Sequence, residues 1–259
     1  MRPSSYREPS EMRKDQPMDT RLSQRDLPRK IVLPTRWIEK RRRDQFYKLA
    51  KAKGYRSRAS YKLLQANRSY RFLRQGQTVV DLGAAPGGWL QVARHAVGES
   101  GFVLGVDKLE IKPLSHRNVV TMVGDIEHSS LPDQIIQKVS GPVDVVLSDV
   151  SPDLTGSWEL DQARQVYLAG RSLEIAQRVL RKGGSFFVKA FHGADLPDFR
   201  SRLRECFRTV RTVKPPASRS DSSEIYFLGL TYTGARHIGG APEVQVKGPT
   251  AEDPAASQP

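Results

Sequence analysis

Short apolar runs alternate with longer amphipathic segments through the middle of this 259-residue chain. The apolar runs predict strands at Val79–Leu82, Phe102–Asp107, Val119–Val123, Val143–Asp149, Ser185–Ala190, Val210–Val213 and Glu224–Tyr232. The amphipathic segments predict helices at Ser57–Tyr70, Leu90–Val97, Leu131–Val139, Glu159–Leu180 and Leu196–Cys206. Strands of this kind, alternating with helices, are typical of a mostly parallel sheet with helices on both faces. The pattern therefore predicts an α/β fold, in which the last two strands are candidates for an antiparallel pair.

The two ends of the chain lack this periodicity. Residues 1–35 are polar and proline-rich, with charges of both signs, and this composition predicts a disordered tail. Residues 234–259 are rich in glycine, proline and alanine and predict a second disordered tail. A single folded domain is expected over residues 36–233.

The first part of this domain, residues 36–70, is strongly basic. Its sequence from Arg36 to Arg58 interleaves arginine and lysine with tryptophan, phenylalanine and tyrosine, and it predicts a helix that ends at Gly54. Cations meet phosphates and aromatic rings can stack on bases, so the segment is a candidate RNA-binding arm. A solvated helix face with no partner is the alternative.

Composition narrows the choice of partner and compartment. The net charge is +14 and the pI is about 10.1, which favours a polyanionic partner, nucleic acid first. We expect no membrane association, because the sequence contains neither a long apolar span nor a signal-peptide core. The single cysteine, Cys206, allows no internal disulfide and is consistent with a reducing cytoplasm.

The segment Thr78–Trp89 reads TVVDLGAAPGGW and predicts a strand, a glycine-rich turn and a helix. Open α/β sheets bind nucleotide-like cofactors at such turns, where glycine lets the backbone approach a ligand closely. The spacing is neither that of a dinucleotide motif nor that of a P-loop, and Pro86 has no amide to offer a phosphate. A nucleoside-like cofactor without pyrophosphate fits, and S-adenosylmethionine is one. A purely structural turn is the alternative.

Acidic residues end or follow three predicted strands: Asp107, Asp125 and Asp149. Ligands of open α/β sheets bind at the carboxyl ends of strands, so these acids are expected at one edge. Asp107 lies about 20 residues after Gly87, the interval at which an acid reaches ribose hydroxyls in nucleotide-binding folds. Asp125 could accept from an adenine amino group, and Asp149 would lie near the reactive end of the ligand.

These motifs resemble the FtsJ/RrmJ (RlmE) family of ribosomal RNA 2′-O-ribose methyltransferases. The resemblance covers residues 36–232 and rests on SRASYKL, DLGAAPGGW, GVD, GD, LSDVSPDLTG, GGSFFVKAF and SRSDSSEIYFL. The basic segment and its Arg-Trp start are similar to archaeal members. The resemblance implies a Rossmann-like S-adenosylmethionine-dependent methyltransferase fold with a mostly parallel seven-stranded sheet. Asp153 departs from the family pattern, which usually has asparagine there.

The resemblance also implies the residues of the site. The Lys-Asp-Lys-Glu catalytic tetrad of the family falls on Lys62, Asp149, Lys189 and Glu224. Its cofactor contacts fall on Gly87, Trp89, Asp107, Asp125 and Asp149. From the residues alone, Lys62 would be a surface lysine and Trp89 could equally fill the core.

The role of Lys189 stays open at this point. As a neutral amine it could take the proton of the 2′-hydroxyl, whereas as an ammonium it could orient the oxygen while water removes the proton. Desolvation and the second cation, Lys62, favour the neutral form; the carboxylates Asp149 and Glu224 favour the charged one.

The resemblance implies S-adenosylmethionine-dependent 2′-O-methylation of a ribose, in a uridine of large-subunit ribosomal RNA. An RNA-binding ribosome-assembly factor and a methyltransferase acting on tRNA, an mRNA cap or a small molecule are the alternatives. We expect a cytoplasmic monomer that binds ribosomal RNA or the large ribosomal subunit. No metal is expected, because His95 and His192 have no partners at ligand spacing.

Overall fold

The computed structural model describes residues 44–139, 141–219 and 222–234. The predicted tail 1–35 and the first part of the basic arm, 36–43, lie outside the described residues, and so does all of the tail 234–259 except Gly234. Among the described helices, none is both long and apolar enough to cross a bilayer.

Six helices and seven strands follow one another along the described chain. The helices are α1 (Gln45–Ala52), α2 (Ser60–Tyr70), α3 (Gly88–Val97), α4 (Leu131–Lys138), α5 (Trp158–Val179) and α6 (Leu196–Cys206). The strands are β1 (Thr78–Leu82), β2 (Phe102–Asp107), β3 (Val119–Val123), β4 (Val143–Ser148), β5 (Leu180–Phe191), β6 (Phe207–Val213) and β7 (Glu224–Tyr232).

The strands form one sheet in the order β3-β2-β1-β4-β5-β7-β6. The first five strands in this order are parallel, and β7 runs antiparallel to both β5 and β6. The predicted mostly parallel seven-stranded sheet is therefore confirmed. The chain builds outward from β1 to β2 and β3 on one side, and through β4 on the other. This reversal opens a crevice at the carboxyl ends of β1 and β4, where sheets of this kind bind ligands.

Helices cover both faces of the sheet, as predicted. Neighbouring residues of a strand point to opposite faces, and Val79 and Val80 accordingly belong to two different apolar clusters. One cluster lies under α4, α5 and α6, and the other lies under α2 and α3. Helix α2 packs on the sheet through Leu63 and Ala66. It thereby brings Lys62 to the carboxyl ends of the strands, where the predicted site lies.

The junction between α5 and β5 differs from the prediction. The helix was expected to continue to Leu180 and to close at residues 182–184, but it ends at Val179 and the strand begins at Leu180. Leu180 pairs with Val143 of β4, and the register then shifts before Ser185 pairs with Val145. The glycine pair at residues 183–184 has the sequence pattern of a helix stop. In the structure it instead accommodates an irregularity within a long strand.

Gly83, which follows the end of β1, packs closely against the loop that follows β4. Its φ of +74° lies in the left-handed region, and a Cβ there would come within 2.8 Å of Cγ2 and 3.0 Å of the backbone of Val150. Only glycine therefore allows this close approach between the turn and the residue after Asp149.

We predict that Gly83→Ala lowers the free energy of unfolding by about 1–3 kcal/mol, since it adds left-handed strain and a backbone clash. Urea unfolding measures the change. Gly141→Ala is the matched control, because a Cβ at Gly141 meets nothing within 4 Å; its effect should stay within about 0.5 kcal/mol. Equal stability of the two variants would contradict the prediction.

Candidate active site

A cavity of about 700 Å³ opens at the carboxyl ends of β1, β2 and β4. Its walls come from the turn after β1, the loops after β2, β3 and β4, and the middle of α5. The lining residues include Gly83, Ala85, Asp107, Gly124, Ile126, Asp149, Asp153, Arg164 and Tyr167. Asp153, the departure from the family pattern, is thus an exposed residue on the rim of this cavity.

Hydrogen bonds from Arg56 fix the glycine-rich turn. The Arg56 guanidinium donates to the carbonyl of Pro86 at 3.2 Å and to those of Lys112 and Pro113. Gly87, with φ of +102°, leaves space for it, because a Cβ there would lie 2.8 Å from Arg56 Nη1. Arg56 was predicted to be part of the RNA-facing arm, but its side chain is used to fix the turn.

Arg58 is engaged inside the protein in the same way. Its guanidinium pairs with the carboxylate of Asp44 and donates to the carbonyl of Ala217. Asp44 also caps α1 by accepting from the amides of Phe46 and Tyr47. Two arginines of the predicted arm therefore join elements that are distant in sequence.

Asp107 is oriented toward the cavity by two backbone amides. Its Oδ2 accepts from the Ala85 amide and its Oδ1 from the Leu109 amide, both at 2.9 Å. Each oxygen keeps a further lone pair, so the carboxylate can accept hydroxyl groups from a ligand. The position agrees with the ribose-binding role expected for Asp107.

Asp125 lies just after β3, between two residues that line the cavity, Gly124 and Ile126. Desolvation raises the pKa of Asp125, but the hydrogen bond from the Glu127 amide and the Lys108 ammonium at 3.2 Å outweigh it, so the pKa lies below its usual range. The carboxylate is therefore ionised at neutral pH.

The four residues of the implied tetrad come from α2, the end of β4, β5 and β7. Lys62 Nζ lies 2.6 Å from Glu224 Oε2, and Lys189 Nζ lies 3.4 Å from Asp149 Oδ1. Lys189 Nζ also donates to the main-chain carbonyl of Asp149 at 2.8 Å. All four side chains are between 7% and 18% exposed. The sequence separates these residues widely, and the fold brings them together as two ion pairs.

Tyr226 connects the two pairs. Its hydroxyl donates to Asp149 Oδ1 at 2.9 Å, and Lys62 Nζ lies 5.7 Å from the centre of its ring. Tyr226 is opposite Lys189 in the β5–β7 ladder, so both residues lie at one level of the sheet. Burial, together with the Asp149 and Glu224 carboxylates, raises the pKa of Tyr226 well above its usual value, and the phenol stays protonated as a donor.

The carboxylate of Asp149 stays ionised although it is buried. Desolvation raises its pKa, but the positive charges of Lys189 and Lys62 and the Tyr226 hydrogen bond together hold the pKa below its usual value. A carboxylate at this position can attract the cationic part of a ligand in the cavity.

Glu224 is oriented by residues of the preceding loop. Ser218 Oγ donates to Glu224 Oε1 at 3.0 Å, and Lys214 Nζ donates to its main-chain carbonyl at 2.6 Å. Sequence reasoning assigned no role to Ser218 or Tyr226. Both lie in SRSDSSEIYFL, one of the motifs that carry the family resemblance. This location is the signal that could have identified them.

Trp89 has its ring in the core instead of in the cavity. The indole nitrogen donates to the carbonyl of Ala59 at 2.8 Å, and the ring stacks on Phe187 at 5.7 Å and packs against Tyr226 at 5.9 Å. Any contact of Trp89 with the predicted cofactor would thus come through its backbone. The side chain instead supports Tyr226 from behind.

Asp81 is a further acid that the sequence did not assign to the site. It is fully buried in β1, and within the described residues neither of its oxygens has a hydrogen-bond partner. Burial and the negative charges of Asp149 and Asp107 raise its pKa well above the usual value. An acid inside the apolar run of β1 was the signal in the sequence, because such residues are rarely buried without a partner.

The arrangement fits a nucleoside-like ligand that carries positive charge. Asp107 suits ribose hydroxyls, Asp149 supplies a negative charge to the wall of the cavity, and Gly83 lines it where the turn and the Val150 backbone approach closely. These are the features that the sulfonium, ammonium and ribose of S-adenosylmethionine require. In the described part of the chain, no group of three or more His, Cys, Asp and Glu side chains could hold a metal ion.

Comparison with known proteins identifies the family of this chain. A family model described as FtsJ-like methyltransferase matches residues 55–232. The ribosomal RNA large subunit methyltransferase E of Methanothrix thermoacetophila is 47% identical over 187 residues, covering 72% of this chain and 72% of that protein. Its counterpart from Methanococcus aeolicus is 44% identical over 201 residues, covering 78% and 75%.

A solved structure extends the agreement to the fold. The crystal structure of a ribosomal RNA methyltransferase from Plasmodium falciparum matches with a TM-score of 0.63 at 26% identity, over 70% of this chain and 100% of that one. The predicted Rossmann-like methyltransferase fold is confirmed. With its family match running from just before α2 to the end of β7, this chain belongs to the FtsJ-like methyltransferase family.

Proposed function

We propose that this protein transfers a methyl group from S-adenosylmethionine to a ribose 2′-hydroxyl, in a uridine of large-subunit ribosomal RNA. The observation that carries the proposal is the pair of lysine–carboxylate contacts that meet around Tyr226 beside the cavity. The names of the relatives support ribosomal RNA as the substrate class. The net charge of +14 supports a polyanionic substrate.

The chain would hold the cofactor through residues that line the cavity, Asp107 and Asp149, and through others in the adjoining turns. Asp107 would accept from the ribose hydroxyls, Asp125 from the adenine amino group, and the turn at Gly87 and Trp89 would contact the methionine part through its backbone. The ionised Asp149 carboxylate would balance its positive charge. When bound, S-adenosylmethionine supplies an activated methyl group on a sulfonium.

Lys189 is the residue that we place next to the reacting hydroxyl. Its Nζ contacts the carboxylate and the carbonyl of Asp149, and the amine would use its remaining hydrogen-bonding capacity to orient the 2′-oxygen. With the oxygen held in this way, the 2′-hydroxyl would accept the methyl group in place of its proton, and the proton would leave to water. Alignment of this kind supplies about 7–11 kcal/mol of the barrier in well-oriented reactions.

Lys62 and Glu224 would complete the site on its RNA-facing side. Their ion pair spans from α2 to β7, and Ser218 holds the remaining carboxylate oxygen of Glu224. Either charged group could position the ribose by a hydrogen bond to a neighbouring hydroxyl or phosphate oxygen. Their role is therefore positioning of the substrate.

We predict that Lys189→Ala lowers kcat for methyl transfer to large-subunit ribosomal RNA at least about 100-fold. The reason is that the variant cannot hold the 2′-oxygen in line with the methyl group. Radiolabelled S-adenosylmethionine and mapping of 2′-O-methyl groups measure the rate and the product, while the affinity for S-adenosylmethionine should change only a few-fold.

Lys182→Ala is the matched control, since Lys182 is an exposed lysine on the same strand. It should transfer methyl groups at the wild-type rate. A Lys189→Ala enzyme that is as active as Lys182→Ala would refute the assignment. Rescue of ribosome assembly by an inactive variant would favour an RNA-binding assembly factor instead.

The ionisation of Asp149 makes a separate prediction about stability. Its pKa is depressed in the folded state, so its contribution to stability is present above the unfolded value of about 3.9 and is lost as the pH falls through the folded value. We expect Asp149→Asn to lower the free energy of unfolding at pH 7 by about 1.5–3 kcal/mol.

The difference between wild type and Asp149→Asn should shrink once the pH falls below about 4, because the wild-type carboxylate then becomes protonated. Urea unfolding at several pH values measures it. Asp153→Asn, an exposed aspartate on the cavity rim, serves as the comparison and should produce no such pH-dependent difference. A gap for Asp149→Asn that stayed constant down to acid pH would count against the ion pair.

A further inference from the structure

A half-exposed tryptophan begins α5, the helix whose middle lines the cavity. Trp158 is 50% exposed, and its ring stacks on Phe191 with centres 6.2 Å apart and planes 21° apart. Leu154, four residues earlier in the chain, is also exposed, so the segment that leads into α5 presents apolar surface to solvent. Large side chains left exposed beside a charged site indicate a surface used for binding.

This aromatic pair lies next to the tetrad. Phe191 follows Lys189 by two residues on β5, so both side chains project from the same face of the strand. Phe191 is also the ladder partner of Glu224 on β7. A molecule whose reacting atom lies at Lys189 would therefore have its next unit within reach of Trp158.

The segment before Trp158 is fixed rather than free. Asp161 Oδ1 accepts from both the amide and the hydroxyl of Thr155 at 2.8 Å, and Oδ2 accepts from the Gly156 amide at 3.2 Å. Asp161 itself is buried, at 5% exposure. The ring at Trp158 is thus presented in a set position before any ligand arrives, which lowers the entropy cost of binding.

Each of the two segments that carry the aromatic pair also contributes to a cavity lined by arginine. Arg164, further along α5, is exposed and lines the 700 Å³ cavity. His192, the residue after Phe191, lines a second cavity of about 530 Å³ together with Arg200 and Arg204. An aromatic surface between cationic groups is what binds single-stranded nucleic acid, since the rings stack on bases and the cations meet phosphates.

We propose that Trp158, supported by Phe191, is a stacking platform for an unpaired base next to the nucleotide that is methylated. The proposal deepens the proposed function and rests on RNA being the substrate. The platform requires a base that is free to leave a duplex, so it selects single-stranded or looped RNA over paired RNA. The arginines of the two cavities and the net charge of +14 favour RNA, whose phosphates they can meet, as the occupant of this surface.

The test is the binding of a fluorescently labelled single-stranded 12-nucleotide RNA, and of the same sequence as a duplex, at one fixed salt concentration. Trp158→Ala should weaken binding of the single strand about 5- to 100-fold, because base–aromatic stacking is lost. Trp158→Phe keeps a ring and should lose much less. Duplex binding should be the same for all variants.

Leu160→Ala is the matched control for lost apolar surface. Leu160 is 41% exposed and two residues from Trp158, a spacing that places the side chains on different sides of a helix. It should bind RNA like wild type. The proposal is overturned if Trp158→Ala binds the single strand as tightly as Leu160→Ala does, or if single strand and duplex weaken equally. Thermal unfolding verifies that each variant is folded.

Methyl-transfer kinetics separate this proposal from the proposed function. Trp158→Ala should raise KM for RNA with little change in kcat, and the affinity for S-adenosylmethionine should be unchanged. Activity lost in Lys189→Ala but unaltered in Trp158→Ala would leave the proposed function standing and overturn the platform. If wild type methylates no RNA and yet Trp158→Ala alone loses single-strand binding, Trp158 is an RNA-stacking residue but the proposed function, and the place of the platform beside a methylated nucleotide, are overturned.

Discussion

Two lysine–carboxylate pairs buried at one edge of the sheet are the constraint on which the rest of the site depends. A buried charge is costly unless an opposite charge and hydrogen bonds compensate it, and removing one partner leaves the other uncompensated. Lys62 is tied to Glu224 and Lys189 to Asp149, while Tyr226 touches both pairs. The pairs therefore fix the relative positions of α2, β4, β5 and β7 as well as the charge at the mouth of the cavity.

The parts of this arrangement that follow local rules could be predicted from the sequence. Apolar runs gave the strands, and acids at the ends of parallel strands necessarily meet at one edge, so the positions of Asp107 and Asp149 followed from the pattern. The buried position of Lys62 could not be predicted in this way, since a single lysine in a helix has no periodic signal that distinguishes a buried ion pair from a solvated side chain. It was identified by family resemblance, and the structure shows how it becomes buried.

Contacts between distant segments account for what the pattern could not provide. Arg56 and Arg58 belong to a segment whose composition is typical of an RNA-binding arm. Their partners, however, are carbonyls and a carboxylate from other parts of the fold. The end of α5 was misplaced because pairing of Leu180 with β4 overrides a local helix-stop signal. In the same way, the ring of Trp89 is placed by packing on Phe187, which no short sequence window contains.

The insertion of β7 between β5 and β6 has a consequence for how the molecule is made. Lys62 and Glu224 are 162 positions apart, and Glu224 opens the last strand of the described sheet. Contacts between such distant residues form late, because a long loop must close before they are gained. While the chain is still emerging during translation, the half built on β1 to β4, whose loops form most of the cavity, can assemble first. The pairing of Lys62 with Glu224, and with it the complete site, would then form in a single late step, when the hairpin of β6 and β7 docks against β5.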